Sequence, residues 1–141
     1  PSPARCLVGL YPACALLVHP FRGECFGLPL LGGMACGVPA IVANGGACLD
    51  FCNQQNSLLV RARKRYLPTR LLGDFATVRR PWVYEVDVRH LAETLRHAYD
   101  HRAEMKALGM KASEDARTQW TWERSARKVL DRIDALRKAH G

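Results

Sequence analysis

The chain has 141 residues, 48% of them hydrophobic, and carries a formal net charge of +8. This length allows one domain with a hydrophobic core and is short for two. No run approaches the roughly 18 apolar residues that a membrane span needs, and the first residues lack a charged leader with a signal-type core and cleavage site. The sequence therefore predicts a soluble chain of one domain that is cytoplasmic, either free or peripheral at the membrane.

The first two-thirds of the chain alternates short apolar runs with glycine-rich connections, which is typical of a parallel sheet with helices on its faces. Residues 15–18 predict a first strand covered on both faces, and residues 38–43 predict a second. Between them a helix is expected to begin at Pro29 and end at Gly37. Residues 57–60 predict a third strand after a short helix within ACLDFC, and residues 82–86 predict a fourth strand or an extended connector.

From Asp87 onward the pattern becomes helical. Asp87 is a candidate N-cap for a helix whose apolar face includes Leu91, Leu95 and Ala98. Met105, Leu108 and Ala112 predict a second helix, and Thr121 caps a last one. In the last helix the residues expected to face inward are Ala126, Val129, Ile133 and Leu136.

The positive charge is concentrated in residues 61–80, which contain seven arginines or lysines and one acid, Asp74. This segment is predicted to be a basic loop. Such a block suits phosphate groups on a nucleotide, a nucleic acid or an anionic membrane surface, and its simplest interpretation is a solvated loop. Only Tyr66 and Phe75 are available there to stack on bases, so the segment gives little support to nucleic-acid binding.

Neither the cysteines nor the histidines predict a metal site. The six cysteines form no C-x-x-C pair, and Cys48 and Cys52 have no second pair of ligands at a zinc-like spacing, so buried free thiols are expected. His90, His97 and His101 share one face of the first predicted helix beside its apolar stripe, which favours a solvated flank.

The segment RGECFGLP, residues 22–29, connects the first strand to its helix. In open parallel sheets such loops form ligand sites, and the helix start offers free N–H groups to an anion such as a diphosphate. Gly45 and Gly46 follow the next strand, so two glycine-bearing loops are expected to face one crevice. Glu24 stands out there, because an acid beside a phosphate site is useful only toward a neutral, hydroxyl-rich part of the ligand.

These residues also carry a family resemblance. LYPACALLVHPFRGECFGLPLLGGMACGVPAIVANGG resembles the nucleotide-sugar half of the retaining glycosyltransferases of the GT-B fold, known as glycosyltransferase group 1. The likeness continues through NSLLV and PWVYEVDVRHLAETLRHAY to the closing WTWER. It implies a Rossmann-like α/β fold over residues 1–141. Within it, residues 1–86 form the core, with the basic loop 61–80, and residues 87–141 form the C-terminal helices.

The resemblance implies transfer of a hexose, with retention, from a nucleotide-diphosphate sugar such as GDP-mannose or UDP-glucose to an acceptor, without a metal or other cofactor. Glu24 would be the catalytic residue, a carboxylate that binds the donor sugar's hydroxyls. The donor-binding residues implied are Glu24, Cys25, Phe26, Gly27, Leu28, Gly32, Gly45 and Gly46.

The chain departs from the family pattern in several ways. A second glutamate, which holds the donor ribose, is expected at the position of Gly32, and the loop has Cys25 where a glycine is usual. The family's arginine-lysine pair, which balances the diphosphate charge, and its acceptor-binding N-terminal domain would lie upstream. We therefore expect a fragment that is inactive alone. The alternatives are a noncatalytic anion- or nucleic-acid-binding module that uses residues 61–80, or a decayed remnant.

Overall fold

A three-stranded parallel sheet is the centre of the fold in the computed structural model, which describes residues 9–140. The strands are β1 (Leu17–His19), β2 (Ala40–Ala43) and β3 (Leu58–Val60), in the order β1-β2-β3. The connections contain helix α1 (Leu28–Ala35) and a 3-10 turn (Ala47–Asp50), and a further 3-10 turn (Tyr11–Ala13) precedes β1. The predicted strand-loop-helix-strand unit and the parallel sheet are confirmed.

Strand β2 is buried on both faces, as a central parallel strand should be. Val42 on one face packs into a cluster with Leu30 and Met34 of α1. Ile41 on the other face packs with Val60 and Met105. The sheet is thus covered on one side mainly by α1 and on the other by helices from the second half of the chain.

Strand β1 differs from its prediction. It pairs only with β2 among the described residues, and Val18 at its centre is 40% exposed. A strand covered on both faces was expected from its uninterrupted apolar run, and that expectation is wrong for these residues. The apolar run reflects the chain's composition but not what packs against this edge.

Residues 61–80, predicted as a loop, contain regular structure. Strand β4 (Ala62–Tyr66) pairs antiparallel with β7 (Trp82–Val86), and we call this pair the ribbon. Between them, β5 (Leu71–Leu72) and β6 (Phe75–Ala76) form a short hairpin around Gly73, which has φ +61°. The predicted fourth strand therefore exists, but it belongs to the ribbon and not to the parallel sheet.

The helical half contains α2 (Val88–Asp100), α3 (Arg102–Gln119) and α4 (Trp122–His140). The predicted N-caps are confirmed. The Asp87 carboxylate accepts from the His90 amide at 3.0 Å, and the Thr121 hydroxyl accepts from the Arg124 amide at 3.3 Å. None of the helices within residues 9–140 is long and apolar enough to cross a membrane.

Helix α3 anchors the end of α1. Its Ser113 hydroxyl and Arg117 side chain both donate to the Ala35 carbonyl oxygen at 2.9 Å, which satisfies a free acceptor of the last turn of α1. A Cβ at Gly109 would collide with the Gly37 carbonyl oxygen, so this glycine lets the α3 backbone approach the end of α1 closely. Met105 and Ala112 of the predicted apolar stripe are buried, as expected.

Helix α4 contradicts its prediction. Every residue from Trp122 to Ala139 is exposed, including the four expected to face inward. Val129 is 59% exposed, Ile133 40% and Leu136 41%. The helical period of the stripe was correct, but within residues 9–140 no element covers it.

Candidate donor-binding site

Two loops meet at the carboxyl ends of neighbouring strands. Residues 20–27 follow β1, and residues 44–46 follow β2. We call residues 19–27 and 44–46 the crevice. Because β1 and β2 are parallel and paired, both loops leave the sheet at the same edge, which is where open α/β sheets bind ligands.

Glu24 lies at the centre of the crevice, and His19 stands beside it. The Glu24 side chain is 27% exposed, and its Oε2 is 3.4 Å from His19 Nε2. Its Oε1 accepts the Cys25 amide at 3.0 Å. The His19 Nε2 atom is buried, and it makes no hydrogen bond within residues 9–140. Glu24 is therefore held in the loop with one carboxylate oxygen uncommitted to backbone.

Gly27 shapes the entry into α1. Its φ of +94° lies in the left-handed region, and a Cβ there would come within 2.7 Å of Cys48 Sγ. The Cys48 thiol donates to the Phe26 carbonyl oxygen at 3.5 Å, which ties this turn to the loop after β2. Helix α1 has no side-chain cap and no acid in its own first turn, and the Glu24 side chain lies beside Gly27 at the positive end of its dipole.

The other predicted donor-binding residues near the start of α1, Cys25, Phe26 and Leu28, differ in how far their side chains are buried. The Phe26 ring packs against Phe51 and Trp120, with centroids 5.3 and 5.8 Å away, so this ring belongs to the hydrophobic core. Cys25 is exposed at the loop surface, and Leu28 is 60% exposed as the first residue of α1. Phe26 thus contributes backbone to the crevice, while Leu28 leaves an apolar surface beside it.

Gly32 lies on α1 against Tyr11. A Cβ at Gly32 would be 3.5 Å from the Tyr11 ring, an ordinary van der Waals contact. The Tyr11 hydroxyl donates to the Pro29 carbonyl oxygen at 2.9 Å, so the ring is fixed along this face of the helix. The position therefore has room for a side chain, and the missing glutamate is not explained by crowding.

Gly45 and Gly46 lie beneath an aromatic side chain from the ribbon. A Cβ at Gly45 would collide with the Tyr84 ring, and one at Gly46 would be 3.1 Å from Phe21 and 3.2 Å from Tyr84. The Tyr84 amide also donates to the Arg22 carbonyl oxygen at 2.7 Å. Tyr84 thus fastens both crevice loops to the ribbon.

Contacts between side chains connect the two loops. Glu24 touches His19, the His19 and Phe21 rings are 5.4 Å apart, and Phe21 reaches over Gly46. Sequence reasoning missed His19, Phe21 and Tyr84. His19 ends β1, so the rule that ligand-facing residues follow parallel strands could have found it. Tyr84 had no local signal, because it reaches the crevice from a strand nearly forty residues beyond Gly45.

Two buried cysteines lie next to the crevice and are neutral at physiological pH. Burial first, and then the negative charges of Glu24 and Asp50, raise the pKa of Cys48 to about 11. Burial raises the pKa of Cys52 to about 12. Cys14, Cys25, Cys36, Cys48 and Cys52 are all free thiols, whereas Cys6 lies outside the described residues. A neutral thiol at Cys48 suits its contact with a carbonyl oxygen.

Much of the ribbon's positive charge is already paired. Hydrogen bonds from Arg65 and Arg63 hold the pKa of the Glu85 carboxyl below its usual range. Arg61 lies 3.3 Å from the Asp87 carboxylate. Lys64 Nζ lies 4.2 Å from the centroid of the Trp82 ring. Of the four basic residues at positions 61–65, the three arginines therefore have acidic partners.

The histidines of α2 make local contacts. His90 Nδ1 accepts the Arg61 amide at 3.0 Å, and His97 Nε2 is 3.2 Å from Glu104 Oε1. His97 and His101 stack with centroids 4.2 Å apart. Among residues 9–140 no group of three or more histidine, cysteine or acidic side chains is arranged to hold a metal ion.

Comparison with known proteins relates both the sequence and the fold to glycosyltransferases. Residues 4–67 match the family described as glycosyl transferases group 1. No curated protein matches the chain in sequence. Among solved structures, the fold is similar to sucrose-phosphate synthase from Thermosynechococcus elongatus, with a TM-score of 0.65, 25% identity, and coverage of 92% of this chain and 27% of that one.

A second solved structure, Anabaena HepE in complex with UDP-glucose, has a TM-score of 0.64 and 16% identity to this chain. The alignment covers 89% of this chain and 29% of that one, so the chain spans less than a third of either protein. The matched segment contains β1, α1, β2, β3 and both crevice loops. The sequence match over residues 4–67 and the similarity of the fold together relate the chain to the group 1 glycosyltransferases of the GT-B fold.

Proposed function

We propose that the chain supplies part of the donor site of an enzyme that transfers a hexose, with retention, from a nucleotide-diphosphate sugar to an acceptor. The observation that carries this proposal is the position of Glu24, which lies beside Gly27 at the start of α1 and is near enough to Cys48, just after Gly45 and Gly46, to raise the pKa of that thiol. An acid for hydroxyls stands beside an uncapped helix N-terminus for a diphosphate, and this combination matches the two chemical halves of such a donor.

In this proposal Glu24 accepts hydrogen bonds from the donor sugar's hydroxyls and is the catalytic residue. Its Oε1 already takes the Cys25 amide, so Oε2, which faces His19, is the oxygen available to a ligand. His19 would keep the carboxylate in place. The backbone of Cys25, Phe26 and Gly27 would approach the sugar and diphosphate.

The diphosphate would be the leaving group, and its growing charge requires positively polarised groups nearby. Within the described part of the crevice, the start of α1 and the exposed Arg22 offer such groups. The acceptor would attack the face that the diphosphate leaves. Because the family's arginine-lysine pair is expected upstream, we infer that this chain binds donor weakly and does not turn it over by itself.

The rest of the site would come from an N-terminal domain that binds the acceptor. Three observations support this. The chain spans 27% and 29% of its two structural relatives, Val18 leaves the β1 edge 40% exposed, and the apolar stripe of α4 is uncovered within residues 9–140. A preceding strand and an opposing domain would cover these surfaces.

Donor binding is the direct test. In saturation-transfer NMR with UDP-glucose or GDP-mannose, we expect signals from the protons of the sugar that weaken in Glu24→Gln. The matched control is Glu104→Gln, an exposed acid on α3 that pairs with His97. A folded chain that gives no signal at millimolar donor would refute the assignment of the crevice, as would equal loss in both variants.

The absent ribose ligand gives a second test. Gly32→Glu should restore a carboxylate on α1 and raise donor affinity by roughly ten- to a hundredfold, since a hydrogen bond to a charged group contributes about 1.5 to 3 kcal/mol. Gly32→Gln is the control of equal size without charge. Unchanged affinity in Gly32→Glu, with the fold intact, would mean that position 32 does not face the ribose.

A noncatalytic nucleic-acid-binding role for residues 61–80 gains little from the ribbon. Glu85 and Asp87 occupy Arg61, Arg63 and Arg65, which leaves fewer free charges than the sequence indicates. The crevice and not the basic block is therefore the site that we propose for the chain's activity.

A further inference from the structure

The hairpin beyond the ribbon exposes all of its large apolar side chains. We call residues 67–81 the arm. Leu71 and Leu72 are 52% and 56% exposed, Phe75 is 79% exposed and Val78 is 93% exposed. Four such side chains lie within eight residues, and Leu72 and Phe75 are paired directly across the hairpin. This concentration of exposed apolar side chains is of the kind that marks an interaction surface.

Hydrogen bonds hold the arm in a fixed shape. The Leu67 amide donates to the Pro81 carbonyl oxygen at 2.8 Å, directly continuing the Tyr66–Trp82 pair of the ribbon. The Thr77 amide and hydroxyl both donate to the Arg70 carbonyl oxygen, at 2.8 and 2.9 Å. Because the backbone is tied in this way, the apolar side chains cannot readily fold back onto the ribbon.

The charges on the arm are mostly positive. Arg70, Arg79 and Arg80 are exposed, and Asp74 is its one acid. The Arg80 Nε donates to the Leu67 carbonyl oxygen at 2.7 Å, which fixes this side chain near the base of the arm. Unlike Arg63 and Arg65 of β4, these three arginines make no salt bridge within residues 9–140.

We propose that the arm binds the surface of an anionic lipid bilayer. Leu71, Leu72, Phe75 and Val78 would enter the boundary between headgroups and acyl chains, and Arg70, Arg79 and Arg80 would meet the lipid phosphates. A bilayer surface accepts aliphatic side chains and arginines side by side. RNA would instead require aromatic rings for stacking, and Phe75 is the one aromatic residue of the arm.

The ribbon connects this surface to the crevice. Tyr84 lies on β7, between the arm and the two glycine-bearing loops, and is bonded to the Arg22 backbone. A bound arm would therefore hold the crevice at a fixed distance from the membrane. The proposal goes beyond the proposed function and does not depend on donor binding.

Vesicle co-sedimentation tests the proposal. We compare binding of the chain to phosphatidylcholine vesicles and to vesicles that also contain phosphatidylglycerol. We expect the chain to bind the anionic vesicles. Changing Arg70, Arg79 or Arg80 to Ala should lower the partition coefficient by roughly fivefold for each arginine removed. The matched control changes Arg127, Arg132 and Arg137 of α4 to Ala and should have a smaller effect.

A second variant tests whether the apolar side chains of the arm enter the bilayer. Phe75→Asp with Val78→Asp should lower partitioning by at least roughly tenfold, because the transfer of these side chains from water is lost. The control is Met110→Asp on α3, where the side chain is 65% exposed and lies outside the arm. Circular dichroism should be unchanged in all variants, since every altered side chain is exposed.

Three results would overturn the proposal. One is no binding to anionic vesicles at low salt. Another is binding that depends on the arginines but not on Phe75 and Val78, which would mean simple charge attraction without insertion. The third is preferential binding of the arm to an RNA oligonucleotide, or to an N-terminal domain of the parent protein, that vesicles do not compete away.

Discussion

The contact between Gly45 and Tyr84 gives the most specific prediction about this fold. Gly45→Ala would place a Cβ inside the volume of the Tyr84 ring. The φ of Gly45 is not in the left-handed region, so the cost comes from this collision and not from backbone strain. Overpacking of this kind costs about 1 to 3 kcal/mol, and the half-buried ring can move, so we expect a loss in the lower part of that range.

A double-mutant cycle isolates the collision. Tyr84→Ala alone should destabilise the chain, because the ring also contacts Phe21 and Trp82. In that background Gly45→Ala should cost close to nothing, so the coupling free energy should equal the cost of the collision, about 1 to 2 kcal/mol. Gly23→Ala is the matched control, since a Cβ at Gly23 meets nothing within 4 Å.

The assay is urea denaturation followed by circular dichroism and tryptophan fluorescence, with the free energy of unfolding obtained by linear extrapolation. The reasoning would be refuted if Gly45→Ala were as mild as Gly23→Ala. It would also be refuted if Gly45→Ala were equally harmful with and without the Tyr84 ring. Either result would mean that the ribbon does not pack over the loop that follows β2.

Three further predictions follow from single contacts. Asn56→Ala should lower the free energy of unfolding by about 1 to 3 kcal/mol in urea titrations, since it removes the buried hydrogen bond to the Phe51 carbonyl and the part-buried one from the Asn53 amide. The pKa of Cys48 is raised to about 11 in the folded chain, above the unfolded thiol value of about 8.5, so the free energy of unfolding should fall as the pH rises from about 8.5 toward 11. Ellman's reagent should label the exposed Cys25 but should not label the buried Cys48 until the chain unfolds. Ile133→Glu should change the free energy of unfolding by no more than about 0.5 kcal/mol because Ile133 is exposed, whereas Met105→Ala should lower it by about 2 to 5 kcal/mol because Met105 is buried. Equal losses in the two variants would mean that α4 is packed against another element.

Local patterns were sufficient for most of the fold. The apolar runs and the Pro29–Gly37 interval predicted the β1-α1-β2 unit, because a helix start and stop depend on neighbouring residues. Asp87 and Thr121 were correct as N-caps for the same reason. Gly27 lies at the bend before α1, where its positive φ requires a residue without a side chain. The crevice was also expected, since parallel strands place their following loops at one edge.

Features that depend on distant residues were not predictable in this way. Periodicity predicted that Val129 and Ile133 share a face of α4, but a helical period says nothing about whether another element covers that face. Residues 61–80 looked like a loop because of their charge density, and the strand β4 is defined by its antiparallel pairing with the distant β7.

The sequence alone determined the α/β class, the place of Glu24 in the loop after a parallel strand, and the resemblance to the group 1 glycosyltransferases. The tertiary structure decided what surrounds Glu24: His19 against its carboxylate, Phe21 and Tyr84 over the glycines of the next loop, and the arm held away from the core. These neighbours come from separate segments, and nothing in the local sequence of one segment specifies which other segment will pack against it.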